Sequence, residues 1–275
     1  MNTPLPRAKK HLGQHFLVDQ HYVARIVAAI RPEADDLMVE IGPGPGALTR
    51  PLLHTLKHLH VVEFDRDMVT RLQAGFSPDR LTIHQADALG FDFGGVGTNL
   101  RVVGNLPYNI SSPLLFQLAE YAEGIRDMTF MLQKEVVDRM AAAPDTPDYG
   151  RLSVMLQARF AVSRLFIVPP GAFQPPPKVD SAIVRLVPLP ADAVPYTNHK
   201  VFADVVARAF GQRRKTLRNT LKGVADDAAF AAVNIDPVRR GETLSVAEFA
   251  ALANHLAEHL ASGRENPPPC RIPLP

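Results

Sequence analysis

Between Val39 and Gly46 the chain reads Val39-Glu40-Ile41-Gly42-Pro43-Gly44-Pro45-Gly46, an apolar strand pattern running straight into three alternating glycines, with a helical pattern from Ala47. Glycine lets a backbone turn tightly and approach a ligand with no Cβ in the way. A strand that feeds a helix through such a loop is one βα unit, and in an open α/β sheet the loop lies at the carboxyl edge, where ligands bind. The surrounding sequence supplies the partners that this unit needs. Strands are expected over residues 37–41, 59–63, 81–84, 100–103 and 128–132, alternating with amphipathic stretches, and residues 19–30 read as an opening helix capped by Asp19. The fold class is therefore α/β, a doubly wound and mostly parallel sheet.

Beyond Met140 the rhythm changes. Residues 160–168 and 182–187 read as two strands, but the bridge between them holds Pro169, Pro170, Pro175, Pro176 and Pro177 and leaves no room for a crossover helix. Two strands joined without a helix are expected to pair antiparallel. By analogy, a parallel sheet closed by such a hairpin is the Rossmann-like arrangement of class I methyltransferases. After Pro188 and Pro190 the patterns are helical, over residues 201–210, 213–221, 226–233 and 245–260. The expected organisation is a catalytic domain over 1–190 with a basic N-terminal arm, a small helical domain over 191–263, and a loose tail over 264–275.

Composition narrows the partners. A hydrophobic fraction of 46% with 21% charged residues is that of a soluble globular chain, and no run reaches the roughly 18 apolar residues of a membrane span. The opening residues carry no apolar stretch of a secretory signal, and the single cysteine, Cys270, has no intrachain partner, so a reducing cytoplasm is expected without disulfides or cysteine-held metal. The net charge is only +2, but its distribution is uneven. Arg208, Arg213, Arg214, Lys215, Arg218 and Lys222 fall in one stretch without a carboxylate, and Arg7, Lys9, Lys10, His11 and His15 in another. Arg213, Arg214, Lys215, Arg218 and Lys222 recur at helical spacings, so several can face the phosphates of a structured RNA together.

The glycine loop alone leaves its ligand open, because Gly42-x-Gly44-x-x-Ala47 also satisfies the dinucleotide fingerprint. Glu63 ends the second strand 21 residues after Gly42, where a carboxylate accepts from ribose hydroxyls in either cofactor class. Asp87, after the third strand, is placed to accept from the exocyclic amine of an adenine, or simply to cap a helix. A nicotinamide-dependent oxidoreductase stays open on these features.

The fourth strand ends in Gly104-Asn105-Leu106-Pro107-Tyr108-Asn109, which is similar to the Asn-x-Pro-Tyr signature of methyltransferases acting on amines conjugated to a planar ring. Such an amine has its lone pair delocalised into the ring and is a poor nucleophile. A side-chain carbonyl (Asn105) and a main-chain carbonyl (Leu106) accepting its hydrogens draw the nitrogen toward a tetrahedral shape, while Tyr108 offers a face for the base, worth about 1–3 kcal/mol. No metal is required.

Further segments carry a broader resemblance: Lys10-His11-Leu12-Gly13-Gln14-His15-Phe16-Leu17, Leu132-Gln133-Lys134-Glu135-Val136, Tyr149-Gly150-Arg151-Leu152-Ser153, Ala172-Phe173-Gln174-Pro175-Pro176-Pro177-Lys178-Val179-Asp180-Ser181 and Phe210-Gly211-Gln212-Arg213-Arg214-Lys215. With the loops above, from Lys9 to about Glu248, the chain resembles the KsgA-type dimethyladenosine transferases, the ribosomal RNA adenine dimethylase family. The resemblance implies S-adenosylmethionine as cofactor and dimethylation of two neighbouring adenosines in the 3′-terminal hairpin loop of 16S rRNA within the 30S subunit, with no membrane partner and a monomer expected. It implies His15 and Leu17 over the cofactor, Gly42 at its methionine moiety, Gly44 among the cofactor-binding residues, Glu63 at the ribose, Asp87 at the adenine, Asn105 at both cofactor and amine, and Pro107 in the catalytic turn. Phe173 is implied as a second aromatic against the base, with a core plug as the competing role. Many relatives have Asn where this chain has His15. A non-catalytic assembly factor, a large-subunit rRNA methyltransferase and a DNA adenine methyltransferase are the other readings; the Pro-Pro-Pro segment and helical domain favour the small-subunit branch.

Overall fold

The computed structural model describes residues 6, 8–9, 13–107, 110–190 and 192–261. They form two compact units, the first taking in the described residues through Ala141 together with Arg159–Pro188, the second Ala142–Ala158 and those from Leu189 onward.

In the first unit the strands are β1 (Phe16–Leu17), β2 (Met38–Ile41), β3 (Leu59–Glu63), β4 (Leu81–Gln85), β5 (Leu100–Asn105), β6 (Ile125–Gln133), β7 (Phe160–Val168), β8 (Phe173–Gln174) and β9 (Ser181–Pro188). Seven make one sheet in the order β4-β3-β2-β5-β6-β9-β7. The first five run parallel, and β9 runs against both β6 and β7, so the proline-rich bridge closes the sheet with the antiparallel pairing expected of it. The order reverses between β2 and β5, which puts the ligand crevice at their carboxyl ends. There Gly104 is required by close approach: a Cβ on it would lie 2.4 Å from the Ile41 carbonyl oxygen.

Helices α1 (Gln20–Ile30), α2 (Thr49–Thr55), α3 (Arg66–Gly75), α4 (Ser111–Glu120) and α5 (Lys134–Met140) complete this unit. Asp19 caps α1 by accepting from the His21 amide at 2.8 Å, and Val23, Ile26 and Ile30 fall on one face that joins Leu52, Leu59 and Val61 in the core. Toward the amino end of the sheet, Arg101 is buried and donates to both oxygens of Asp127, to Asp36 and to the Ile30 and Arg31 carbonyls. That guanidinium ties β5, β6 and the end of α1 together through satisfied charges. The ribbon of β1 on β8 pairs Phe16 with Gln174 and Leu17 with Phe173. Such two-residue strands carry no periodicity, and nothing in the pattern announces them.

The second unit contains α6 (Arg151–Gln157), α7 (His199–Ala209), α8 (Leu217–Thr220), α9 (Asp227–Ala232) and α10 (Val246–Ala261). Before α10, Ser245 and Glu248 form a reciprocal cap: the Ser245 amide donates to the Glu248 carboxylate at 2.7 Å and the Glu248 amide to Ser245 Oγ at 3.2 Å. Segment Ala142–Ala158, expected with the catalytic domain, groups here, where Tyr149 donates its hydroxyl to the Leu244 carbonyl and the Asp145 amide donates to the Glu242 carbonyl. The helix expected over 213–221 shrinks to α8; Arg213–Lys215 lie in turns. Among the described residues no helix is long and apolar enough to cross a membrane.

Candidate active site

At the carboxyl ends of β2, β3 and β5 lies a cavity of about 290 Å³. Its floor is the glycine loop. Gly42 and Gly44 take φ of +64° and +52°, where side chains are strained, and a Cβ on Gly44 would touch the Phe16 ring at 3.5 Å. Successive loops brace one another beyond the strands: the Gly42 amide donates to Val62, Ala86 to Glu63 and Leu106 to Met131.

The structure brings together His15, Leu17, Gly42, Gly44, Glu63, Asp87, Asn105, Leu106 and Pro107 in the wall of this one cavity, from segments spread over about ninety residues. Glu63 is buried, and its carboxylate accepts from the Gly44 amide at 3.1 Å and the Asp65 amide at 2.8 Å. Burial pushes its pKa above the ordinary value against the pull of those amides. Asp87 caps the short turn that follows by accepting from Leu89 at 3.0 Å, so the capping role and a place in the cavity wall belong to the same side chain. Asn105 gives Nδ2 to the His15 carbonyl at 3.0 Å, which turns its amide oxygen the other way; among the described residues nothing donates to that oxygen or to the Leu106 carbonyl.

Phe173 does not line the cavity: it is 4% exposed and packs in the core with Leu17 and Ile183, the ribbon with β1 having turned it inward. Arg218 has a counter-carboxylate after all, in Asp227, with two contacts of 3.1 Å, and Arg213 donates to the Pro147 carbonyl. The five cations also do not share one helix face, because α8 spans only Leu217–Thr220. Arg214, Lys215 and Lys222 have no partner among the described residues. Tyr108, Arg7, Lys10 and His11 lie outside the described residues.

Two acidic residues were not singled out in the sequence. Glu40, in the middle of β2, lines the cavity at 2% exposure and accepts from Thr49 Oγ1 at 2.6 Å. Burial raises its pKa to about 8, with the nearby Glu63 adding to the rise and Thr49 opposing it. The signal was present, since a carboxylate inside a strand buried on both faces must find a partner. Asp65 stands just behind the wall and gave no such signal. The residues present fit an adenosyl cofactor, with Glu63 and Asp87 offering acceptors at neighbouring strand ends for a ribose and an adenine, while Glu40, held protonated by burial, adds no charge that would choose between the two cofactor classes.

Comparison with known proteins agrees with this geometry. Residues 6–258 match the model of the ribosomal RNA adenine dimethylase family. Ribosomal RNA small subunit methyltransferase A of Aromatoleum aromaticum is 61% identical over 251 residues, covering 91% of this chain and 95% of that protein. The crystal structure of a dimethyladenosine transferase from Plasmodium falciparum superposes with a TM-score of 0.75 at 26% identity, covering 86% of this chain and 96% of that one. The 23S rRNA methyltransferase ErmE gives 0.65 at 26% identity, over 88% and 99%.

Proposed function

The chain belongs to the ribosomal RNA adenine dimethylase family, and from that premise we propose that it transfers methyl groups from S-adenosylmethionine to the N6 amines of two adjacent adenosines in the 3′-terminal hairpin loop of 16S rRNA. In this reading it acts as a cytoplasmic monomer on the 30S subunit or its precursor and contributes to subunit maturation. The observation that carries the proposal is the Asn105–Leu106 corner: two carbonyl acceptors at the carboxyl end of β5, opening on a cavity that Glu63 and Asp87 also line.

S-adenosylmethionine supplies an electrophilic methyl group on a sulfonium sulfur. The chain's part is to bind, orient and exclude. Glu63 is positioned to accept from ribose hydroxyls with the lone pairs that Gly44 and Asp65 leave free, and the second oxygen of Asp87 from the adenine amine. His15 and Leu17, in the cavity wall, would cover the cofactor, and Gly42 and Gly44 would leave room for its methionine end. Asn105 Oδ1 and the Leu106 carbonyl would accept the two hydrogens of the target amine, pull it toward a tetrahedral shape and aim its lone pair, with Pro107 in the same turn; the role of Tyr108 as a stacking face is carried by the family motif alone. The amine nitrogen would take the methyl group that S-adenosylmethionine supplies, the sulfur keeping the bonding pair, and the amine proton would leave to water without a dedicated base. The gain comes from positioning and from fixed dipoles. Arg214, Lys215 and Lys222, with Arg213 and Arg218 beside them, contact RNA phosphates, and loop shape selects the base. Phe173 supports the site from the core.

The test is transfer of labelled methyl groups from S-adenosylmethionine to 30S particles lacking the modification, with the label mapped. Label on two adjacent adenosines of the 3′ hairpin supports the reading; label on 23S rRNA, on DNA or nowhere rejects it.

A further inference from the structure

Residues 13–17 cross the cavity as a strap. At one end it pairs with β8, and the His15 ring contacts the Pro175 carbonyl at 2.9 Å. In the middle, the His15 carbonyl takes the Asn105 amide hydrogen. The other end is tied to a residue that does not line the cavity. Asp65 accepts from Gln14 Nε2 at 2.9 Å and from Lys9 Nζ at 2.6 Å, and Gln14 Oε1 in turn accepts from the Lys9 main-chain amide at 2.9 Å. Lys9 also reaches Asp67 at 2.7 Å. Burial pushes the Asp65 carboxyl up, but its bonds from Lys9, Gln14 and the Asp67 amide outweigh that and hold it below the usual range.

We propose that Asp65 is a positioning residue for methyl transfer, acting on Asn105 through Lys9, Gln14 and the strap. The inference rests on the function proposed above for Asn105. An asparagine amide can sit either way round, and only one orientation presents oxygen to the incoming amine. The His15 carbonyl selects that orientation because it can accept only the NH₂ end. It does so only while the strap is held at its present height, and Asp65 is the anchor that sets this height on the side away from the ribbon. The carboxylate also caps α3 by accepting from the Asp67 amide at 3.0 Å, a role asparagine performs as well, so the two functions can be separated.

The experiment uses the full chain with Asp65→Asn, Gln14→Glu and the double variant. Asp65→Asn replaces the carboxylate by an amide, and Gln14→Glu sets a like charge against Asp65. Together they restore a donor and an acceptor with the direction of the bond reversed. Two quantities are read: the single-turnover rate at saturating S-adenosylmethionine and unmethylated 30S particles, and the ¹⁵N–¹H signal of the Asn105 side-chain amide, assigned by its loss in Asn105→Ala. Each single variant is expected to lose about tenfold or more in rate, within the ~100-fold that a misplacement of about 1 Å can cost. The amide signal should move or broaden, and the double variant should recover both. Wild-type rates from the single variants at saturation overturn the proposal, as does a double variant as damaged as the singles. The amide signal needs no RNA, so an unmoved signal refutes the relay even where wild-type protein transfers no methyl group, an outcome that rejects the proposed function instead.

Discussion

Replacing Glu40 by glutamine isolates the effect of holding a carboxyl group in the cavity wall. The side chain is 2% exposed, and its pKa is raised from the ordinary 4.5 to about 8, chiefly by burial. Between those values the folded chain keeps a proton that the unfolded chain has released. The group's contribution to stability is therefore complete below about pH 4.5 and declines as pH rises toward 8, by about 1.4 kcal/mol per pH unit. Glutamine does not ionise, and its carbonyl still accepts from Thr49 Oγ1. From pH 5.5 to 7.5 the stability of Glu40→Gln relative to wild type should thus improve by about 2–3 kcal/mol. Comparing variant with wild type removes the opposite slope of His60 and His84, whose pKa values burial lowers. Urea unfolding at the two pH values measures the difference, provided the m-values agree. A stability gap that stays constant between them refutes the reasoning, because Glu40 would then ionise in the folded chain much as it does in the unfolded one.

Arg101→Met leaves Asp127 and Asp36 buried without their principal partner and should cost about 3–5 kcal/mol by urea unfolding. Gly104→Ala drives a Cβ to 2.4 Å from the Ile41 carbonyl at the floor of the crevice; it should destabilise by about 1–3 kcal/mol and weaken S-adenosylmethionine binding measured by calorimetry. Neutralising Arg214, Lys215 and Lys222 together should lower the slope of log affinity for RNA against log salt by roughly 0.7–0.9 per lost contact while leaving cofactor affinity intact. An unchanged slope would make these residues a solvated surface.

The parallel half of the sheet was legible because each strand is a short apolar run followed by an amphipathic one, and buried parallel strands are read from that pattern alone. The cavity residues from His15 to Pro107 were legible from motifs rather than from periodicity, since each sits at a strand end where residue type reports chemistry. What failed was long-range. Gln14 and Asp65 are 51 residues apart in the chain, and neither polar side chain carries a pattern that points to the other. Arg218 looked unopposed within its own segment, but its carboxylate, Asp227, comes from beyond a turn. The spacing of Arg213 to Lys222 imitated a helix that turns interrupt. Phe173 was balanced between base contact and core because strand alternation says which residues share a face, not which face meets the core; the structure buries its side chain with Leu17 and Ile183.

Asn105 carries the account, and single-turnover methyl transfer to unmethylated 30S particles by wild type and Asn105→Ala, with nucleoside mass spectrometry separating mono- from dimethyladenosine, tests it most directly. The wild type should reach dimethyladenosine. After the first transfer a single N–H remains, so only one of the two carbonyls can still be satisfied, and loss of the side-chain acceptor should impair both steps. Little of either product is expected from Asn105→Ala in a folded protein, and near-normal dimethyladenosine from that variant would contradict the role given to Asn105.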